Sequence, residues 1–233
     1  MKATAPRFVT FDFGDTLVTS EPPYLERMAQ ALTELDCPRT LTEVQRAYFN
    51  ADLSAAQELL PRAPFTPDEF RHAFSRDFLA GLGLLGREEE VGLPLAKKLI
   101  EARPRRVTMP GAGDLILRLH DRGYRLGIVS NNDGCTREKC REVGIEPFFS
   151  FILDSTLEGI MKPDPRIFAR ALEQAGAEPA EVLHVGDLYG CDILGARAAG
   201  IPAVWLGNDL IEPPPIPGVQ RINSLPELLG LLP

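Results

Sequence analysis

The sequence predicts an α/β fold, a parallel sheet flanked by helices and interrupted after its first strand by a helical insert. Three features carry this expectation. From Arg103 onward, short apolar runs alternate with helical patterns, the rhythm of a parallel sheet with helical crossovers. Between about Pro22 and Arg103, apolar residues recur at spacings of three and four with almost no strand pattern. And the residues able to do chemistry fall just after strand-like runs, the ends at which open α/β sheets bind ligands.

Taken in order, Arg7–Phe11 reads as a strand running into the polar turn Asp12-Phe-Gly-Asp-Thr16. Pro22–Leu35, Leu41–Leu60, Thr66–Leu82 and Glu88–Ala102 read as insert helices, with Thr40, Thr66 and Arg87 near their starts. Thr66-Pro67-Asp68-Glu69 has the form of a capped entry, with proline in the first turn and acids after it. Later strands are expected at Arg125–Val129, Phe149–Leu153, Val182–Val185 and Ala203–Leu206. Helices are expected at Ala112–Asp121, Thr136–Val143, Pro165–Gln174, Ile193–Ala199 and Leu225–Leu232. The core is therefore discontinuous, residues 1–17 and 107–233, with the insert at 18–106.

Composition narrows the function. A chain of 233 residues with 44% hydrophobic and 25% charged residues can bury a substantial core. Its 33 acidic against 25 basic residues give a net charge of -8, against a nucleic-acid or polybasic membrane surface. No stretch is long and apolar enough to span a membrane, and no apolar leader precedes Asp12. The four cysteines make neither a Cys-x-x-Cys pair nor a disulfide scaffold, so a reduced, cytoplasmic setting is expected. The three histidines are scattered, which argues against a zinc hydrolase.

Four features fall at strand ends: Asp12, Ser130-Asn131, Lys162, and Gly186-Asp187 with Asp192. Parallel strands bring those ends to one edge. Carboxylates gathered there repel unless a cation joins them. All-oxygen donors suit Mg²⁺, and a lysine with a hydroxyl suits the remaining oxygens of a phosphate. A carboxylate can also attack phosphorus itself.

Together these motifs resemble the haloacid dehalogenase superfamily of hydrolases, over nearly the whole chain. The resemblance implies a Rossmann-like core with a C1-type helical cap at 18–106. It implies Mg²⁺-dependent hydrolysis of a small phosphorylated metabolite by a monomer or homodimer. By motif position Asp12 is the nucleophile, Lys162 neutralises it and the phosphoryl group, and Ser130 and Asn131 bind phosphate. Asp12, the Gly14 carbonyl, Asp187 and Asp192 form the metal site, and Thr16 supports the loop on the substrate side.

One position departs from the pattern. Family phosphatases carry a second aspartate two residues after the nucleophile, as acid and base. Here that position is Gly14, and an acid follows at Asp15. Losing such a group costs ~10²–10⁴-fold in rate. Asp15 can substitute for it, or only bond nearby backbone. A weakened phosphate-binding protein and a 2-haloacid dehalogenase stand as alternatives. Phosphonate cleavage by a cap lysine is disfavoured, since residues 18–96 contain no lysine. Asp133 and Asp154 are expected to cap helices or shape the site, and Asp164 to cap a helix or touch substrate. His184, Cys191 and Trp205 are expected to pack. Tyr24, Arg27, Arg62 and Phe65 are candidates to face substrate from the insert.

Overall fold

A computed structural model describes residues 6–233. Residues 1–5, part of the segment read as lacking a leader and of the first core piece, lie outside the described residues.

The chain opens with β1 (Phe8–Phe11), buried along its whole length, as a strand covered on both faces must be. Next come β2 (Val18–Glu21) and the insert helices α1 (Tyr24–Glu34), α2 (Leu41–Leu59), α3 (Pro67–Gly81) and α4 (Leu93–Glu101). The chain returns through β3 (Arg105–Thr108) to α5 (Ala112–Asp121), β4 (Arg125–Ser130), α6 (Thr136–Glu142) and β5 (Phe149–Asp154). The last elements are α7 (Ser155–Glu158), α8 (Pro165–Ala175), β6 (Val182–Gly186), α9 (Gly195–Ala198), β7 (Ala203–Leu206) and β8 (Gln220–Ile222).

Six strands form one parallel sheet in the order β5-β4-β1-β6-β7-β8. After β1 the chain builds outward through β4 and β5, then crosses back to β6 on the other side of β1. The order therefore reverses between β1 and β6, and a crevice opens outside the carboxyl ends of those two strands. One apolar cluster, including Val9, Ile116 and Leu126, fills one face of the sheet, and another, including Phe8, Phe168 and Ile193, fills the other.

Two insert helices start as the sequence expects. Thr40 with Glu43, and Thr66 with Glu69, form reciprocal caps in which each hydroxyl accepts from the third backbone N–H. Arg87 makes no side-chain cap, and a wide turn over Glu88–Gly92 leads into α4 instead. The insert has its own core around Leu32, Val44, Leu79 and Val91. A further cluster joins Ala55, Leu59, Phe65 and Phe70 of the insert to Cys191 of the core.

The structure differs from expectation at several elements. β2 and β3 pair antiparallel, Val18 opposite Thr108 and Glu21 opposite Arg105, so both chain crossings run through a two-stranded ribbon. Leu225–Gly230 is a short 3₁₀ segment, and Ile193–Ala199 is a wide turn over Tyr189–Leu194 running into the brief α9. β8 and α7 carry too few apolar residues to mark themselves in sequence.

Candidate functional site

Asp12 directly follows β1, Ser130 ends β4, and Asp187 directly follows β6, so the fold brings all three to one edge. Together with Gly14, Asp15, Asn131 and Lys162 they line a cavity of about 720 Å³ roofed by the insert.

Lys162 is almost wholly buried, at 1% exposed, and its ammonium bridges two carboxylates. Its Nζ donates to Asp12 Oδ1 at 2.5 Å and to Asp192 Oδ1 at 2.6 Å. Burial alone would lower the ammonium's pKa; the two carboxylates reverse this and hold it above the usual lysine value. Asn131 fixes the lysine's backbone from both sides, donating Nδ2 to Lys162 O at 2.9 Å and accepting from Lys162 N at 2.8 Å. The Asn131 amide thereby places Lys162, and Asn131 also lines the cavity beside Ser130.

Asp12, Asp187 and Asp192 each offer an oxygen, and these oxygens lie within 4.8 Å of one another. Burial pushes the Asp12 carboxyl up to about 6, with Lys162 acting against it and Asp192 adding to it. Asp187 is pushed well above the ordinary range, first by burial and then by the charges of Asp12, Asp192 and Asp15. Asp192 is also buried, yet Lys162 and His184 hold it below the ordinary value. One lysine against three carboxylates leaves the cluster short of positive charge, and its donors are all oxygen. Both facts fit a hard divalent cation.

Three residues hold the acids in place. Thr16 is sealed from the cavity, at 0% exposed, and its Oγ1 donates to Asp187 Oδ1 at 3.0 Å. It supports an acid of the cluster. His184 packs edge-on to Phe168, as expected of a core residue, and also sets its Nε2 3.3 Å from Asp192 Oδ1. Gly186 must lack a side chain, because a Cβ there would meet Asp192 Cγ at 2.2 Å.

The two acid positions after the nucleophile differ sharply. Gly14 faces the cavity, and a Cβ added there would meet nothing within 4 Å. Asp15 takes a left-handed backbone, φ 55°, which aspartate tolerates better than most residues. Its Oδ1 accepts from Thr19 Oγ1 at 2.6 Å, and burial raises its pKa against the effects of Thr19 and Arg27.

Of the insert candidates, Tyr24 and Arg27 line the cavity. Arg62 is instead exposed and paired with Glu58, and Phe65 is buried in the junction cluster. Asp164 caps α8 through Arg166 N and also accepts from Phe65 N of the insert. Asp154 caps α7 through Thr156 N and also accepts from Gly134 and Thr136, while Asp133, which lines the cavity, accepts from Lys139. Sequence reasoning missed Asp52, a wholly buried acid on α2, and Tyr48, which lines the cavity from the same helix. All four cysteines are free, and among the described residues no helix is long and apolar enough to cross a membrane.

Comparison with known proteins agrees with this geometry. A family model described as haloacid dehalogenase-like hydrolase matches residues 6–200. The Mus musculus haloacid dehalogenase-like hydrolase domain-containing protein 3 is 30% identical over 242 residues, covering 97% of this chain and 92% of that protein. The phosphoserine phosphatase of Thermus thermophilus is 35% identical over 155 residues, 66% of this chain and 62% of that enzyme. The magnesium-bound HAD hydrolase YfnB of Bacillus subtilis superimposes with a TM-score of 0.66 at 25% identity, covering 98% of this chain and 99% of that one.

Proposed function

The chain belongs to the haloacid dehalogenase-like hydrolases, and from that premise we propose that it is a magnesium-dependent phosphomonoesterase acting on a small phosphorylated metabolite. The observation that carries this reading is the bridge from Lys162 to Asp12 and Asp192 at the cavity edge. It presents a carboxylate nucleophile beside the cation that would neutralise an incoming phosphoryl group.

Asp12 is the nucleophile. Lys162 occupies Oδ1, so Oδ2 is the oxygen assigned to attack. It bonds to phosphorus as the ester P–O bond breaks, leaving an aspartyl-phosphate. Ser130 and Lys162 hold the phosphoryl oxygens. Of the carboxyls lining the cavity, Asp12 and Asp187 belong to the charged cluster and Asp133 is engaged by Lys139. Asp15 remains, held through Oδ1 by the neutral Thr19 hydroxyl rather than by a cation, and burial shifts its carboxyl upward against Thr19 and Arg27. It gives its proton to the leaving oxygen and then takes one from the water that attacks phosphorus, which frees phosphate and restores Asp12. Asp12, Asp187, Asp192 and the Gly14 carbonyl would hold magnesium. When bound, that ion supplies the positive charge that lets clustered carboxylates and a phosphate share one site.

Residues 18–106 act as a cap whose helices exclude water and select the ester. The phosphatase named among the relatives supports a small phosphorylated substrate. The test is phosphate release from a panel of phosphomonoesters, with Mg²⁺ and with EDTA, by wild type, Asp12→Asn and Asp15→Asn. Release that needs Mg²⁺ and Asp12 is expected. Release undiminished in Asp12→Asn contradicts the assignment.

A further inference from the structure

We propose that the substrate carries a second anionic group besides the phosphoryl ester, and that Arg27 of the insert binds it. Arg27 lies on α1 and borders the cavity that holds Asp12, Ser130 and Lys162. Its Nε and Nη1 are buried with no hydrogen-bond partner. Its Nη2 reaches only Ser20 Oγ, at a long 3.4 Å. A guanidinium stays charged, so sealed donors without acceptors are costly unless function requires them.

Other cavity-lining cations are already engaged. Arg71 pairs with Asp68, Arg106 with Glu142, and Lys139 with Asp133. Arg103 spends Nη1 on the carbonyls of Ile100 and Ala102. Arg27 is the one of these left with sealed, unpaired donors, and its guanidinium rests 5.4 Å from the centre of the Tyr24 ring. An aromatic face stores a cation without quenching its donors. The long stem lets the head turn to meet an anion by a rotamer change. Lys162 and Arg27 stand on different walls, one on the core and one on the insert, so a ligand anionic at both ends would draw the insert down over the site.

This inference rests on the phosphatase reading, and the test separates the two. Ethyl phosphate serves as the singly anchored reference, against phosphoglycolate for a carboxylate and ethylene glycol bisphosphate for a second phosphate. Wild type is expected to favour at least one doubly anionic ester by about 10–100-fold in kcat/KM, the usual worth of a charge-assisted hydrogen bond. Which one it favours identifies the second group. Arg27→Gln should abolish the preference, and Arg27→Lys should restore part of it. The preference is a ratio within one variant, so a change in folded fraction cancels. No preference in wild type, or one retained in Arg27→Gln, overturns the proposal.

Calorimetric titration of the same three compounds into Asp12→Asn, with and without Arg27→Gln, supplies the second readout. Hydrolysis without discrimination removes the Arg27 assignment and leaves the phosphatase. Arg27-dependent discrimination in binding without hydrolysis removes the phosphatase and leaves Arg27. Neither hydrolysis nor discrimination removes both.

Discussion

Asp52 Oδ2 accepts a hydrogen bond from the Gly190 N–H at 2.6 Å, bonding the helical insert directly to the loop that carries Asp192. Its Oδ1 accepts from the Cys191 N–H at 2.9 Å. The approach is close enough that a Cβ on Gly190 would meet the Asp52 carbonyl oxygen at 2.3 Å. Helix α2 is thus a structural support of the acid loop as well as a roof over the cavity.

Removing that support should be costly. Asp52→Ala leaves two backbone donors unpaired at a site that is 0% exposed. The expected loss is roughly 2–5 kcal/mol of stability, read as a lower midpoint in urea unfolding. An unchanged midpoint would show that these bonds contribute nothing net.

The same residue imposes a pH dependence. Burial raises the Asp52 carboxyl from 3.8 to about 6, opposed by its bonds to Cys191 and Gly190. Between those values the folded state holds a proton that the unfolded chain has lost. Stability from this group therefore rises as pH falls from about 6 toward 3.8, and is lost as pH rises through that window. Two pKa units correspond to about 3 kcal/mol. The gain in unfolding free energy from pH 6.5 to about 4 should be smaller in Asp52→Asn by an amount of that order. Equal slopes in the two proteins would contradict the assignment.

Thr16→Val keeps the buried shape and removes the hydroxyl from Asp187. Loss of a group that orients a metal ligand typically weakens metal binding by about 10–100-fold. The Mg²⁺ concentration giving half-maximal phosphate release should rise accordingly, while saturating Mg²⁺ recovers most of the rate. Identical Mg²⁺ curves would place Thr16 outside the metal's support.

Gly14→Asp tests the displaced acid. The space is open, and the glycine does not need a positive φ. Because Asp15 protonates the leaving oxygen, wild type should hydrolyse aryl phosphates with progressively poorer leaving groups at similar rates, and Gly14→Asp should gain little on the poorest of them. A gain of about 10²-fold there would mean that Asp15 does not serve as the acid.

Much of this site could be read from the chain because strand ends announce themselves. Apolar runs followed by Asp12, by Ser130 and by Gly186-Asp187 place those residues at one sheet edge before any coordinates exist. Contacts between distant segments were not legible. Asp52 sits among Ala51, Ala55 and Ala56, and a lone acid on a helix ordinarily marks a solvated face. Only the approach of Gly190 reveals the small residues around it as a docking surface. Arg27 could be nominated but not oriented, since its isolation depends on what surrounds it in space. The β2–β3 ribbon was hidden because each strand has four residues and little alternation.

The most direct test of the central claim is the mass of the enzyme after rapid acid quenching during Mg²⁺-dependent turnover of a phosphomonoester, with peptide mapping of any adduct. The account predicts one added phosphoryl group, on the peptide containing Asp12, and none in Asp12→Asn. Turnover with no adduct at any quench time in wild type, together with release retained by Asp12→Asn, would contradict it.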